Sequence, residues 1–469
     1  MVMQCTTHQK NTEGFSLVEV ILASAIFALL TTALVGAYLY GEEAAMLAGN
    51  RARAVFLAEE GLEAVRNIRD ALYGNLVDGT FGLATAGNQW IFSGSFDAQD
   101  IFTRQIAIAS AGINRKSVTA SIVWQQNPQR IGQVSAVTHF TNWIAYVIGN
   151  WASPIQAASI NIANLDDGNK IQVQGNYAYI IRMTGVPNFS IINVSTPSSP
   201  VVVGSLTLSG TPTNIAVSGN FVYISNRSDT QELQIINVTN PASPSIVGTF
   251  NAPGTANARG VFALGTTAYL VRSSSADNEF VIVNAATPSA PLLVGSLNLN
   301  ADSNEVFVSG NTAYVASSHD TQELQVISIV NPASPSLIGS LNLSGTTNAL
   351  TVSHTGTTVF LGQGSIFFVI NVSTPSVPSL LGTLGVSGTL NDIAITLGNL
   401  NTYAFIATSD AANEFKVINV TTPTSPVLLG QFNVVGTSPL FGVAYSIPLD
   451  RAFVASGSDL EEFIVIAPQ

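Results

Sequence analysis

The first seventy residues change from wholly apolar to amphipathic. No charge occurs from Val20 to Tyr40, and these 21 residues would span about 31 Å as a helix, close to the thickness of a bilayer core. Further along, apolar residues recur at spacings of three, four and seven, which predicts a one-sided continuation of the same helix. The residues of this predicted face are Val55, Leu62, Val65, Ile68 and Leu72.

Short strand patterns follow the helix. Between Asp78 and Trp143 the segments QWIFSG, IFTRQIAIAS, KSVTASIVWQQ and QVSAVTHFTNW are separated by Gly, Asn and Pro. The pattern predicts a small antiparallel sheet that packs on the helix. His139 is the one histidine in this region and is interpreted as a residue of the sheet.

Beyond Trp151 the chain repeats a phrase with a Pro-x-x-Pro loop and a short strand, as in NPASPSIVGTF and TPSAPLLVGSL. The glycines of this phrase are spaced by 44, 47, 44, 43 and 48 residues. A period of this length with four strands, a to d, in each unit indicates a β-propeller. Strand a is predicted seven times, beginning near Lys170, Asn214, Gly260, Glu305, Ala349, Asp392 and Gly442.

The last repeat lacks its outer strand. It stops at strand c in EEFIVIAPQ, whereas the segment ASPIQAASINI at 152–162 mimics a strand d. We therefore expect seven blades, with the N-terminal segment pairing with the C-terminal blade. Such closure removes the exposed edges that would otherwise promote aggregation.

The head of the first helix, GFSLVEVILASAIFALL, resembles the type IV pilin signature. Gly14, Phe15 and Glu19 stand in its register. The resemblance implies that a prepilin peptidase cuts after Gly14 and methylates Phe15, and that Glu19 pairs with the N-terminal amine of a neighbouring subunit during filament assembly. Two alternatives remain: an uncleaved anchor, and a Glu19 that only reaches the membrane interface. The leader departs from the pattern because Lys10 is its one basic residue.

The phrases INVSTP and INVTNP resemble the LVIVD family of propeller repeats, which occurs on bacterial and archaeal surface proteins. This resemblance implies a fold and no chemistry. The expected fold class is an α+β pilin module followed by an all-β seven-bladed propeller. The expected domains are a prepilin leader (1–14), a transmembrane and stalk helix (15–72), a pilin-like β head (73–150) and the propeller (151–469).

Composition narrows the function further. The 469 residues include 16 Lys and Arg against 28 Asp and Glu, a net charge of −12, which argues against a nucleic-acid partner. Cys5 is the only cysteine, so no intramolecular disulfide forms. His319 and His354 are isolated, and no catalytic set is visible. We expect neither enzymatic activity nor a cofactor.

Acidic residues recur in the b–c loops of five blades, and two interpretations compete. The acids could bind Ca²⁺ or a cationic partner. Alternatively, turns favour Asp and surfaces need charge for solubility. The candidate residues are Asp229, Glu232, Asp277, Glu279, Asp320, Glu323, Asp410, Glu414, Asp459 and Glu461.

The Asn-Val-Ser/Thr phrases are also open to two interpretations. They match glycosylation acceptors, but each recurs at one blade position, which favours a structural turn. Their asparagines are Asn193, Asn237, Asn371 and Asn419.

Together these features predict a minor or tip subunit of a type IV pilus-type filament that displays the propeller for adhesion or ligand binding. The chain would span the cytoplasmic membrane once before assembly and then reach the extracellular filament or cell surface. Its expected partners are a prepilin peptidase, other pilin subunits, the membrane and an unknown surface ligand. The alternatives are a pseudopilin of a secretion system and a surface-tethered propeller enzyme.

Overall fold

The chain folds into two compact units, residues 1–145 and 146–469. The structure, a computed structural model, describes residues 16–71, 73–87, 89–112, 115–141, 148–162, 166–274, 277–343, 347–397, 401–434 and 438–469.

The first unit begins with one long helix, α1 (Leu17–Ala71). Its buried stripe consists mostly of small residues: Ala54, Ala58, Gly61, Ala64, Val65 and Ile68. The predicted face is wrong at Val55, which is 39% exposed. Small residues replace it in the contact because they let the sheet approach the helix closely. A Cβ at Gly61 would lie 3.1 Å from Cδ1 of Ile106.

A six-stranded antiparallel sheet covers this stripe after a short 3-10 turn, Tyr73–Asn75. Its strands are β1 (Gly79–Ala86), β2 (Gln89–Ser93), β3 (Asp97–Gln99), β4 (Phe102–Ser110), β5 (Arg115–Asn127) and β6 (Arg130–Thr141). They pair in the order β2-β1-β4-β5-β6, and β3 pairs with β4. Buried Arg104 joins helix and sheet, because it pairs with Glu60 at 2.7 Å and with Asp97 at 2.9 Å.

The described residues of the second unit form seven four-stranded antiparallel sheets. The strands are β7 (Ile155–Ile160), β8 (Gly168–Gln174), β9 (Tyr177–Arg182), β10 (Phe189–Asn193), β11 (Val201–Leu206), β12 (Thr211–Ser218), β13 (Phe221–Arg227), β14 (Leu233–Asn237), β15 (Ser245–Phe250), β16 (Ala258–Leu264), β17 (Thr267–Arg272), β18 (Phe280–Asn284), β19 (Leu292–Leu297), β20 (Ser303–Ser309), β21 (Thr312–Ser317), β22 (Leu324–Ser328), β23 (Ser336–Leu341), β24 (Ala349–Thr355), β25 (Thr358–Gln363), β26 (Ile366–Asn371), β27 (Ser379–Gly385), β28 (Leu390–Leu397), β29 (Thr402–Thr408), β30 (Phe415–Asn419), β31 (Val427–Phe432), β32 (Leu440–Ser446), β33 (Arg451–Ser456) and β34 (Phe463–Ala467).

The sheets follow one another along the chain. Sheet 1 is β8–β11, sheet 2 β12–β15, sheet 3 β16–β19, sheet 4 β20–β23, sheet 5 β24–β27 and sheet 6 β28–β31. Sheet 7 takes β32–β34 from the C-terminus and β7 from the N-terminal side, and this is the closing strand that the sequence predicted. The first strands contact each other in order, and β32 contacts β8, so the ring is closed.

Packing between sheets explains the near-continuous apolar strands. Each hydrophobic cluster of this unit combines residues of two neighbouring sheets, as where Leu233 and Ile235 of sheet 2 meet Leu270 and Val281 of sheet 3. Both faces of the inner strands are therefore buried.

The repeated glycines lie at the seams between sheets. A Cβ at Gly248, in the outer strand of sheet 2, would overlap the carbonyl oxygen of Pro288 in sheet 3. The equivalent contact of Gly430 is with the carbonyl oxygen of Trp151, just before β7. The Pro-x-x-Pro loop of one sheet thus rests on the glycine of the sheet before it.

We predict that Gly248→Ala lowers the free energy of unfolding by about 1–3 kcal/mol, because the backbone at the seam must move apart. Urea unfolding of the full chain in detergent measures this change. Gly385→Ala is the matched control, since a Cβ at this strand position meets nothing within 4 Å. Equal effects of the two substitutions would contradict the seam contact.

Candidate functional site

The helix α1 begins beside the predicted processing site. Gly14 and Phe15 lie outside the described residues. Just after them, Glu19 N–H donates to Ser16 Oγ at 3.2 Å and Ser16 N–H donates to Glu19 Oε2 at 2.9 Å. This reciprocal pair is a capping box, which satisfies backbone donors that a helix start leaves free. Glu19 therefore stabilises the helix of its own chain.

The apolar half of α1 has exposed side chains, and its hydroxyl groups form hydrogen bonds within the helix. Large side chains from Leu17 to Tyr40 are mostly more than half exposed. The hydroxyls of Ser24, Thr31 and Thr32 each donate to a backbone carbonyl of the preceding turn, at 2.7–3.0 Å. Such bonds remove the cost of placing a hydroxyl in an apolar medium. By length and composition, α1 suffices to cross a membrane.

Five glutamates that precede a third strand are buried, and four of them are among the candidate acids of the b–c loops. Their exposed fractions are 0–2%. Each accepts a backbone N–H at 2.6–3.0 Å, from the segment that follows the outer strand of the same sheet. The pairs are Glu232 with Ala252, Glu279 with Leu299, Glu323 with Leu343, Glu414 with Val434 and Glu462 with Ile162. The four candidates among them therefore lie in the interior and are not part of an exposed acidic surface that could bind Ca²⁺ or a cationic partner.

In the two sheets without this glutamate, a different oxygen accepts the equivalent backbone N–H. In sheet 1, Asn188 is buried, and its Oδ1 accepts the N–H of Leu208 at 2.7 Å. In sheet 5, the N–H of Val386 donates to the backbone oxygen of Ser365 at 2.8 Å. The residue before the third strand therefore supplies an acceptor for this backbone N–H in every sheet, which is a structural role.

The remaining loop acids divide into exposed and paired groups. Asp229, Asp320 and Asp459 are exposed. Asp277 accepts the N–H of Thr255 at 2.9 Å, and Glu461 accepts the Ser159 hydroxyl at 2.8 Å.

Asp410 forms an ion pair. Buried Lys416 lies 2.7 Å from Asp410, and its hydrogen bond lowers the pKa of that carboxyl to about 2. Within the described residues, no group of three or more His, Cys, Asp or Glu side chains is placed to hold a metal ion. Binding of Ca²⁺ or of a partner at the exposed acids stays a prediction.

The asparagines of the Asn-Val-Ser/Thr phrases make local turns. In each, Oδ1 accepts the N–H two residues further on, at 2.9 Å, for example from Ser195 to Asn193. Asn284 and Asn331 make the same bond without this phrase. These contacts account for the recurrence of asparagine by turn geometry.

A charged cluster crosses the axis of the ring. Lys170 of sheet 1 lies 3.2 Å from Asp392 of sheet 6 and 3.9 Å from Glu305 of sheet 4. Lys170 also donates to the backbone oxygen of Asn391 at 3.0 Å, and Asn214 of sheet 2 donates to Glu305 at 3.3 Å.

The carboxylates of this cluster also bind backbone. Glu305 accepts the N–H of Val352 at 3.1 Å, and Asp392 accepts the N–H of Val443 at 3.0 Å. Burial alone would lower the pKa of Lys170, but the two carboxylates more than offset it and raise that pKa. Burial raises the pKa of Glu305 despite the neighbouring ammonium. The cluster therefore links six of the seven sheets.

Two cavities of similar size meet this cluster. One, of about 290 Å³, is lined by Glu305 and Asp392 and continues along the inner strands. The other, of about 280 Å³, is lined by Lys170 and Glu305 and by residues at the start of the first strands, including Asn169 and Arg259. The charged side chains lie between the two cavities and divide the central channel.

Sequence reasoning missed this cluster. The available signal was Lys170, Glu305 and Asp392 at equivalent places in three first strands, each next to the same register irregularity.

The comparisons with known proteins agree with this division of the chain. A prokaryotic N-terminal methylation motif matches residues 9–35. The LVIVD repeat matches 167–207, 209–252, 257–298, 301–343 and 388–434, so each match covers one of sheets 1, 2, 3, 4 and 6. The N-terminal motif indicates a pilin-like or pseudopilin-like start, with membrane anchoring, processing by a prepilin peptidase and assembly with other pilins. No curated protein matches the chain.

Solved structures share the fold at low sequence identity. A protein described as functionally unknown from Desulfotomaculum acetoxidans DSM 771 has a TM-score of 0.50 and 14% identity, over 63% of this chain and 100% of that chain. A chain of the Mitotic Checkpoint Complex has a TM-score of 0.50 and 11% identity, over 67% of this chain and 91% of that chain. At these identities the similarity extends to the fold alone.

Buried Glu232 predicts a pH dependence of stability. Burial raises the pKa of Glu232 above its usual value. Its contribution is therefore complete below about pH 4.5 and declines as the pH rises through the raised pKa. We expect wild type to lose stability relative to Glu232→Gln as the pH rises above about 4.5, measured by thermal unfolding of the full chain.

Asp410→Asn is the matched control with the opposite sign. Because the pKa of Asp410 is lowered to about 2, its contribution is present above pH 3.8 and is lost as the pH falls towards 2. Parallel pH profiles for the two variants would contradict the different environments of these carboxyls.

Proposed function

We propose that this chain, which carries a pilin-type N-terminal methylation motif and five LVIVD repeats, is a minor or tip subunit of a type IV pilus-type filament. In this proposal the six-stranded sheet is the pilin head. The seven sheets of the second unit are the blades of a β-propeller that binds a ligand at the cell surface.

The exposed apolar half of α1 carries the proposal. Side chains such as Leu17, Phe27 and Tyr40 are 69–77% exposed in the single chain, which water does not favour. A bilayer before assembly and neighbouring helices afterwards would cover this surface. The methylation motif at the start of the same helix supports a filament over a permanent anchor.

The size of the second unit supports a minor or tip position. It comprises residues 146–469, more than twice the length of the first unit. If every subunit carried such a large second unit, the α1 helices of neighbouring subunits could not pack closely. A single copy at the tip, or scattered copies, avoids this conflict.

Binding is favoured over catalysis because the charged groups on the ring axis are paired with each other and with backbone. Lys170, Glu305 and Asp392 each have partners within 3.3 Å, which stabilise the ring. A pseudopilin of a secretion system would share the same anatomy. Proteomics of sheared surface filaments separates these functions, since a pseudopilin stays within the envelope.

Processing provides the first test. We expect the mature chain to begin at N-methylated Phe15 and to contain 455 residues, the 469 of the precursor less the 14 of the leader. Mass spectrometry of the N-terminal peptide measures this. Gly14→Val should block cleavage, whereas Thr12→Val should not. A mature N-terminus at Met1, or one after Tyr40, would refute the pilin assignment.

Glu19 provides the second test. Glu19→Gln retains the capping bond, because an amide oxygen also accepts the N–H of Ser16, but it loses the charge that pairs with a neighbour's amine. We expect this variant to be cleaved normally and to enter filaments at least tenfold less often. Immunoblots of sheared filaments and membranes measure the two pools.

Glu19→Ala separates the two functions of the carboxylate, since it removes both the bond from Ser16 N–H to the side chain and the charge. Normal incorporation of Glu19→Gln together with poor incorporation of Glu19→Ala would assign Glu19 to helix capping alone.

A further inference from the structure

One cavity of the ring differs in charge from the acidic domain around it. Beyond Ala152 the sequence has 17 Asp and Glu but only seven Lys and Arg. Three of these seven cations, Lys170, Arg227 and Arg259, line the cavity of about 280 Å³, whereas Glu305 is its one lining carboxylate. An adjoining cavity of about 170 Å³ shares Arg227 and Arg259. We call the two together the ring mouth.

The ring mouth is built by a repeated irregularity. The first strand of every sheet skips one residue in its register with the second strand. Bulges of this kind redirect a side chain and recur beside binding sites. Six of the seven skipped residues line the larger cavity: Asn169, Arg259, Asn304, Leu350, Asn391 and Phe441.

The skipped asparagines are held in fixed orientations. Asn169 Nδ2 donates to the backbone oxygen of Pro212 at 3.2 Å, and Asn391 Nδ2 donates to that of Leu440 at 2.8 Å. Because the amide nitrogens bind the next sheet, the Oδ1 atoms are left as acceptors. Across the described part of the chain, these two Oδ1 atoms have no hydrogen-bond donor.

Arg227 is the available cation. It ends β13, is exposed and has no ion pair among the described residues. Arg259 differs, because it pairs with Asp302 at 2.5 Å and donates to Asn304 at 3.0 Å. A free guanidinium presents a planar fork that suits a carboxylate.

We propose that the ring mouth binds the terminal residue of an acidic saccharide, an inference that rests on the proposed binding function of the propeller. Arg227 pairs with the sugar carboxylate, and Asn169 and Asn391 accept its hydroxyls. Half-buried Phe441 supplies an apolar surface for the C–H face of the ring. The volume, near the lower end of the roughly 300–1,000 Å³ typical of ligand pockets, suits one sugar residue.

An ammonium-bearing ligand is disfavoured because Lys170 and Arg259 line the same cavity. A simple anion would use Arg227 but neither asparagine oxygen. The combination of one free cation, two oriented acceptors and an aromatic wall therefore selects a ligand with both a carboxylate and hydroxyls.

Calorimetric titration of the full chain in detergent tests the proposal, with D-glucuronate, D-glucose, acetate and L-glutamate as probes. We expect D-glucuronate to bind at least tenfold more tightly than each of the others. Arg227→Gln should weaken D-glucuronate binding about tenfold or more, as expected for the loss of a charged hydrogen bond, without changing the melting temperature. Arg130→Gln, an exposed arginine in β6, is the control.

Four outcomes would overturn the inference. They are no binding of D-glucuronate up to about 10 mM, equal binding of D-glucose, equal binding of acetate or L-glutamate, and unchanged D-glucuronate binding by Arg227→Gln. None of them affects processing at Gly14 or filament incorporation, so the proposed filament function stands or fails by its own measurements.

Discussion

The second unit depends on the pairing of β34 with β7. Each sheet buries both faces against its neighbours, so an open ring would leave two apolar faces and an unpaired edge in water. Several contacts hold β7 in place. Trp151 is fully buried and makes an edge-to-face contact with Phe405, with 4.7 Å between the ring centroids, and its Nε1 donates to Asp450 at 3.1 Å. Glu462 accepts the N–H of Ile162 beyond the other end of the strand.

Two devices recur at most of the seams and explain why the repeat has its composition. A glycine in the outer strand lets the next sheet approach, and a buried carboxylate or amide accepts a backbone N–H that would otherwise be unsatisfied. The exceptions are sheet 7, whose outer strand β7 has no glycine, and sheet 5, in which a backbone oxygen replaces the buried side chain. An unpaired buried donor costs about 1–3 kcal/mol, so a glutamate in an apolar domain is stabilising at this position. The net charge of the unit therefore overstates the charge on its surface.

The first unit shows one residue with two functions at different stages. Glu19 caps the helix in the single chain through Ser16. In the proposed filament, the same carboxylate would meet the amine of a neighbour. The folded chain leaves the apolar side chains of α1 exposed, and the bilayer or the filament is needed to cover them. The stability of this helix therefore depends on its surroundings.

The sequence by itself determined the local and periodic features. These are the extent of α1, the four-stranded repeat, the closing strand at 152–162 and the pilin-type register of Gly14, Phe15 and Glu19. They follow from hydrophobic period, turn residues and motif spacing, all of which act over short distances. The prediction placed Val55 on the buried face of α1 because periodicity does not encode how closely a sheet approaches.

Only the tertiary structure decided what the polar residues do. Asp229 and Glu232 lie three residues apart, yet one is exposed and the other is buried against the N–H of Ala252. Lys170, Glu305 and Asp392 meet across the ring although up to 222 positions separate them. Burial and pairing depend on which strands the closed ring brings together, and no local pattern in the chain carries that information.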